Sequence, residues 1–172
     1  MNVVGIVRKR ARGWAAAVAL MGLPFFASSL VTPPAHAGGS TRLSVRVPTA
    51  NFRAGPSTKD EILFTATKYF PVTILETKGK WVRVVDFEKE ESWVAKRLLT
   101  STPTVVVEVK KGNVRDAPTT EGDVLDKVEY GEVFRIVKTD GRWMRIATPK
   151  EVLGWVRDDL TWGEEPFLKT RK

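Results

Sequence analysis

Gly79-Lys80-Trp81-Val82-Arg83-Val84 returns 62 residues later as Gly141-Arg142-Trp143-Met144-Arg145-Ile146. In each a turn hands over to an alternating run, with Trp81, Arg83 and Val85 on one face and Val82 and Val84 on the other, which is the pattern of a half-buried strand. Working outward, Asn51, Arg53, Pro56, Thr58, Leu63, Ile74, Trp93 and Leu98 recur at the same offset as Asn113, Arg115, Pro118, Thr120, Leu125, Ile136, Trp155 and Leu160. A segment running from Asn51 to Leu98 is therefore written twice. What recurs is turn formers and large aromatics, with no recurring cluster of reactive side chains.

Further alternating runs flank each copy: Leu43, Val45 and Val47, then Val72 and Ile74 in the first; Val105, Val107 and Val109, then Phe134 and Ile136 in the second. Asp140-Gly141 predicts a tight hairpin whose two central residues take positive φ, and Lys78-Gly79 holds the same place. Lys96 to Leu98 and Asp158 to Leu160 each predict one helical turn before a closing strand. Several short strands and no amphipathic helix predict an all-β chain of two tandem small antiparallel barrels. Domains of about 60 residues bury only about 60% of their unfolded surface and are marginal, so large side chains must be used economically.

The first residues read as a secretion signal. Arg8, Lys9, Arg10 and Arg12 form a basic start, Ala15 to Val31 is uncharged and apolar, and Ala35-His36-Ala37 is a small-x-small cleavage site. A permanent anchor is the rival reading, but the run is short for a span and is broken by Gly22 and Pro24. The expected layout is a cleavable signal helix at 1–37, a short segment at 38–41, the first barrel at 42–100, a linker at 101–103, the second barrel at 104–160 and a tail at 161–172. The linker, stiffened by Pro103, is too short for a free tether, so the barrels should hold a preferred orientation. Trp162, Pro166 and Phe167 of the tail are expected to pack on the second barrel. Localisation outside the cytoplasm follows, in the periplasm or the medium.

Cleavage also reshapes the charge argument. Four of the 28 basic residues leave with the leader, and the formal net charge falls from +8 to +4. Residues 42–100 carry 11 basic and 7 acidic residues whereas 104–160 carry 10 and 11, so only the first copy is basic. A nucleic-acid partner would call for a concentrated basic face instead. The single histidine, His36, is lost with the leader and the chain has no cysteine. Histidine- and cysteine-based catalysis, the usual zinc ligand sets and thiol chemistry are thereby removed, and no metal or cofactor is expected. Carboxylates such as Asp158-Asp159 and the stretch from Glu88 to Glu91 lack the arrangement of a glycosidase pair, so no enzyme is expected.

Asn51-Phe52-Arg53-Ala54-Gly55-Pro56-Ser57, with Gly79 to Val84 and Ser92-Trp93-Val94, resembles the bacterial Src homology 3 domain family. So does Asn113-Val114-Arg115-Asp116-Ala117-Pro118-Thr119, with Gly141 to Ile146 and Gly154-Trp155-Val156. The resemblance implies SH3-like barrels and an envelope role, since such modules commonly bind peptidoglycan peptides or partner proteins. Two departures are visible: Ala117 stands where the family has glycine, and Ser92 replaces the glycine before the first copy's second tryptophan.

The recurring residues divide into expected roles. Asn51 and Asn113 are expected to bond the loop backbone, and Pro56 and Pro118 to stiffen it. Arg53 and Arg115 either tie loop carbonyls to the barrel or face a ligand carboxylate. Trp81 and Trp143 are expected in the core, more buried than Trp93 and Trp155, which would line a binding groove. Phe52, Arg53 and Lys59, in a long loop taken as Thr49 to Asp60, complete the candidate ligand set with Trp93 and Trp155; Lys111 to Asp123 is the matching loop. The expected function is an exported, non-catalytic binder of peptidoglycan or other envelope peptides. The alternative is a periplasmic protein-protein adaptor, since barrel edges and grooves serve both.

Overall fold

The computed structural model describes residues 6–8 and 41–163, all in strands, turns and two short 3-10 turns. The first sheet comprises β1 (Ile6–Arg8), β2 (Arg42–Val45), β3 (Thr49–Arg53), β4 (Ile62–Thr67), β5 (Pro71–Lys78), β6 (Trp81–Val85), β7 (Glu91–Ala95) and β8 (Leu99–Thr100). The second comprises β9 (Thr104–Val107), β10 (Lys111–Arg115), β11 (Val124–Glu129), β12 (Val133–Asp140), β13 (Trp143–Ala147), β14 (Val152–Arg157) and β15 (Thr161–Trp162). Their neighbour orders are β1-β4-β3-β7-β6-β5-β2-β8 and β11-β10-β14-β13-β12-β9-β15. Apart from β1, the two orders coincide strand for strand. Ile6–Arg8, placed by the sequence in the basic start of the leader, is a strand on the outer edge of β4; the rest of the expected signal helix and the chain after Gly163 lie outside the described residues.

The single helical turns fall at Lys96–Leu98 and Asp158–Leu160. The hairpins are shifted by one residue from the sequence expectation. Lys78 pairs with Trp81 and Asp140 with Trp143, leaving Gly79-Lys80 and Gly141-Arg142 as the central residues. Only the glycines take positive φ, +58° and +55°, the conformation in which glycine leads a two-residue hairpin loop. Each turn thereby lifts a basic residue to the rim of its barrel.

Valine alternation sets the inward face: Val82, Val84 and Val94 are fully buried in the first module, as are Met144 and Ile146 in the second. The first core is aromatic, with Phe52 stacked on Phe64 at 4.7 Å and Phe70 edge-on to Phe52, Phe64 and Phe87. The second is mostly aliphatic, built on Val114, Val128, Ile136, Met144 and Ile146 around Phe134.

The modules pack against each other rather than hanging on a tether. Val106 and Val133 of the second are buried with the first module's core. Phe87 meets the Tyr130 ring at 5.6 Å, and the Tyr130 hydroxyl donates to Glu88 Oε1 at 2.7 Å. Ser44 Oγ donates to the carbonyl of Thr102 in the linker. Trp162 departs from expectation: its backbone pairs with β9, so the second sheet runs into the expected tail, yet its ring packs on the first module's core beneath the Arg42 guanidinium at 4.4 Å.

Candidate ligand groove

The strands that bury Val82, Val84 and Val94 must turn Trp81, Arg83, Trp93 and Ala95 to the opposite face. Cross-strand register sets Trp81 beside Ala95, and Trp93 between Arg53 and Arg83. None of Trp81, Trp93 and Trp143 is buried, while Trp155 is only 8% exposed. The expected burial order is reversed in the second module, where Trp155, expected to be open, is buried and Trp143 is not; in the first module Trp81 and Trp93 are alike half-buried, so the indoles form an outer layer of the sheet. Phe52 is likewise displaced from its expected ligand-facing place into the core, fully buried against Phe64.

On this outer layer lies a groove of about 750 Å³. Trp81, Ala95 and Leu98 supply apolar lining, Thr49, Asn51 and Thr58 supply neutral polar atoms, and Arg53, Lys80, Lys96 and Arg97 supply the charge. The Lys96 N–H donates to the Lys80 carbonyl at 2.9 Å, holding the hairpin tip against the 3-10 turn so that their basic side chains share one rim. The equivalent position in the second module is a smaller groove of about 320 Å³, lined by Asn113, Arg115, Thr120, Trp143 and Leu160 together with Lys111, Lys127 and Arg157.

Several expected residues take different places. Asn51 and Asn113 sit in β3 and β10 and line the grooves; among the described residues their side chains make no hydrogen bond to the loops. The first five residues of each expected long loop are strand, leaving residues 54–61 and 116–123 as the connections. Lys59 is exposed on the first of these, outside the groove lining, and Trp93 and Trp155 are also outside it. Arg53 Nη1 donates to the Asp60 carbonyl at 2.7 Å and Arg115 Nη1 to the Gly122 carbonyl at 2.6 Å. Each arginine thus anchors its loop and borders its groove at once.

Ala117 is accommodated by an exchange across the loop. In the first module a Cβ on Gly55 would come within 2.5 Å of the Asp60 carboxylate. In the second, Ala117 takes the glycine's place while Gly122 takes that of Asp60, so the small residue changes sides and the loop keeps its width. Ser92 is accommodated less well: it is buried and its hydroxyl has no hydrogen-bond partner. Its counterpart Gly154 has φ +150°, and a Cβ there would meet the Arg115 carbonyl at 2.5 Å.

Sequence comparison assigns both modules at once. The family model for the bacterial SH3 domain matches residues 46–100 and again 108–163. The chain belongs to the bacterial SH3 domain family. None of the curated proteins matches it. Among solved structures, these tandem SH3 modules are similar to NlpC1 from Trichomonas vaginalis, at 17% identity and TM-score 0.33 over 80% of this chain and 50% of that one. They are also similar to an NlpC/P60 family protein from Bacillus cereus, at 16% identity and TM-score 0.34 over 70% of this chain and 55% of that one. The chain thus spans about half the length of either structure.

The two SH3 grooves, each lined by four cations, differ in how the cations at their rims are paired. Among the described residues no carboxylate pairs with Lys80, Lys96 or Arg97. At the matching positions of the second module stand Arg142, Asp158 and Asp159. Arg142 Nε donates to Asp158 Oδ1 at 2.9 Å, and Arg157 grips Asp159 with two bonds of 2.6 Å. The Arg157 hydrogen bonds hold the Asp159 carboxyl below its ordinary range, and Asp159 in turn holds the Arg157 guanidinium above its own.

Proposed function

We propose that this is an exported, non-catalytic envelope protein, periplasmic or extracellular, that binds wall-derived or other envelope peptides through the outer groove of its first SH3 module. The observation that carries this reading is the partly exposed Trp81 beside Ala95, which leaves an indole face and a channel of ligand size open between a loop and a hairpin. An extended peptide can lay an apolar side chain on such a surface while its backbone meets polar rim atoms such as those of Asn51 and Thr58. Leader cleavage after Ala37, read from the sequence, supports the location, and membership of the bacterial SH3 family supports peptidoglycan as the first ligand to try.

Purified sacculi should retain the chain at low salt, and Trp81→Ala should abolish retention while the matching Trp143→Ala leaves it intact. No retention of the wild-type chain, combined with discrete protein adducts on cross-linking in cells, would replace wall binding by an adaptor role.

A further inference from the structure

We infer that the first module's groove reads an extended acidic peptide and that the second module's groove is closed to it by ion pairs of its own. This rests on the reading of the first groove as a peptide site and adds the ligand's charge. Four cations border that groove, Arg53, Lys80, Lys96 and Arg97, and no carboxylate lines it. None of the four carries an ion pair among the described residues; Arg53 is tied to the Asp60 carbonyl, and the other three are exposed on one rim. Unpaired like charges on one rim repel each other, and an anion laid between them relieves that repulsion. The second groove is also lined by four cations, Lys111, Arg115, Lys127 and Arg157, and by no carboxylate, but there Arg157 is clasped by Asp159 and Lys111 lies 3.9 Å from Glu129. There Asp158 and Asp159 replace Lys96 and Arg97, Arg157 replaces Ala95 at Trp143's cross-strand neighbour, and the groove shrinks to less than half the volume.

The choice of a peptide over a phosphate polymer follows from the lining. Trp81 and Leu98 contribute apolar surface between the cations, which a chain bearing alternate carboxylates and short aliphatic side chains would cover. A strongly hydrated phosphodiester would leave that surface bare. Two of the three free cations are also lysines, which act as point charges and lack the planar fork suited to bidentate phosphate recognition.

The test titrates the purified full chain with the peptide (Glu-Ala)4, with (Gln-Ala)4 and with inorganic polyphosphate, following the indole N–H resonances and the heat of binding. The expected result is movement of the Trp81 resonance with (Glu-Ala)4 while Trp143 stays in place. Affinity should fall about tenfold between low and physiological salt, because exposed charges are screened over roughly 10 Å. Lys96→Asp combined with Arg97→Asp, which installs the second module's acids, should weaken binding by about tenfold or more. Asp158→Lys combined with Asp159→Arg should open a second site, seen as a new shift at Trp143. Equal binding of (Gln-Ala)4 would overturn the charge preference and leave the peptide groove standing. Polyphosphate moving Trp81 when neither peptide does would overturn both, as would a (Glu-Ala)4 response that is indifferent to the Asp replacements and centred away from Trp81.

Discussion

The first module pairs Trp81 with alanine and the second pairs Trp143 with arginine. Around that difference the frame is constant: strand order, the bulges in β3 and β10 and in β5 and β12, the glycine-led hairpins and the 3-10 turns all coincide. Duplication has preserved the residues that set backbone geometry and released those that line the outer face. The cores have also diverged, aromatic in one and mostly aliphatic in the other, because a barrel interior requires volume and apolarity more than a particular side chain.

The cores give the largest expected contrast. Phe52→Ala removes a fully buried ring that is stacked on Phe64 and edge-on to Phe70, and should cost about 3 to 5 kcal/mol, enough to unfold a small module. Val114→Ala, the matching change, removes far fewer atoms and should cost distinctly less. Urea unfolding of both variants measures the gap, and equal losses would dissolve the contrast between the cores.

The outer face comes next. Trp81→Ala should lower ligand affinity by about 2 kcal/mol or more, as expected for an aromatic anchor in a groove. Its stability cost should be roughly half that of Phe52→Ala or less, since part of the indole is already in solvent. A binding titration beside a urea melt separates the two effects. Loss of fold without selective loss of binding would return Trp81 to a core role.

Much of this fold was legible in the sequence, and the reason is local. Gly79 and Gly141 mark the hairpins, Lys96 to Leu98 and Asp158 to Leu160 mark the short turns, and the repeat shows where one module gives way to the next. The outward facing of Trp81 and Trp143 departs from the expectation, yet the sequence carries its mark: Arg83 and Arg145 share their parity, and a barrel interior does not admit an unpaired arginine. The same parity places Phe52 inward, for its neighbours Asn51 and Arg53 are the outward residues of β3. The Ala117 exchange with Gly122 lay in the repeat but required knowing which loop residues face each other. The packing between modules had no local mark, since Trp162 stands where the first copy has Thr100 and reaches across to the other barrel.

That packing predicts a smaller effect. Tyr130→Phe keeps the ring against Phe87 but removes the bond to Glu88. About 1 kcal/mol should be lost from the coupling of the two modules, seen as a partial separation of their unfolding transitions when Phe87 and Trp143 environments are followed independently. A single unchanged transition would show that the remaining apolar contacts suffice.

The smallest effect comes from acid. Asp159 has its carboxyl lowered by Arg157, so its stabilising contribution is complete above the ordinary aspartate value of 3.8 and fades as pH falls through the lowered value. Because the pair is exposed at the rim, the stability change should be slight. The groove beside Trp143 should nevertheless loosen below about pH 4 in an indole resonance, while Trp81, with no such clasp, should respond far less. Identical responses at both tryptophans would remove Arg157 and Asp159 as the cause of the closed groove.

The most direct measurement is an indole N–H spectrum of the purified chain titrated with soluble wall-derived peptides. The Trp81 resonance should shift and saturate while those of Trp93, Trp143 and Trp155 remain within their unliganded positions. Saturating shifts at Trp93 or Trp155 with Trp81 unmoved would place recognition on a different face of the barrels and contradict the groove.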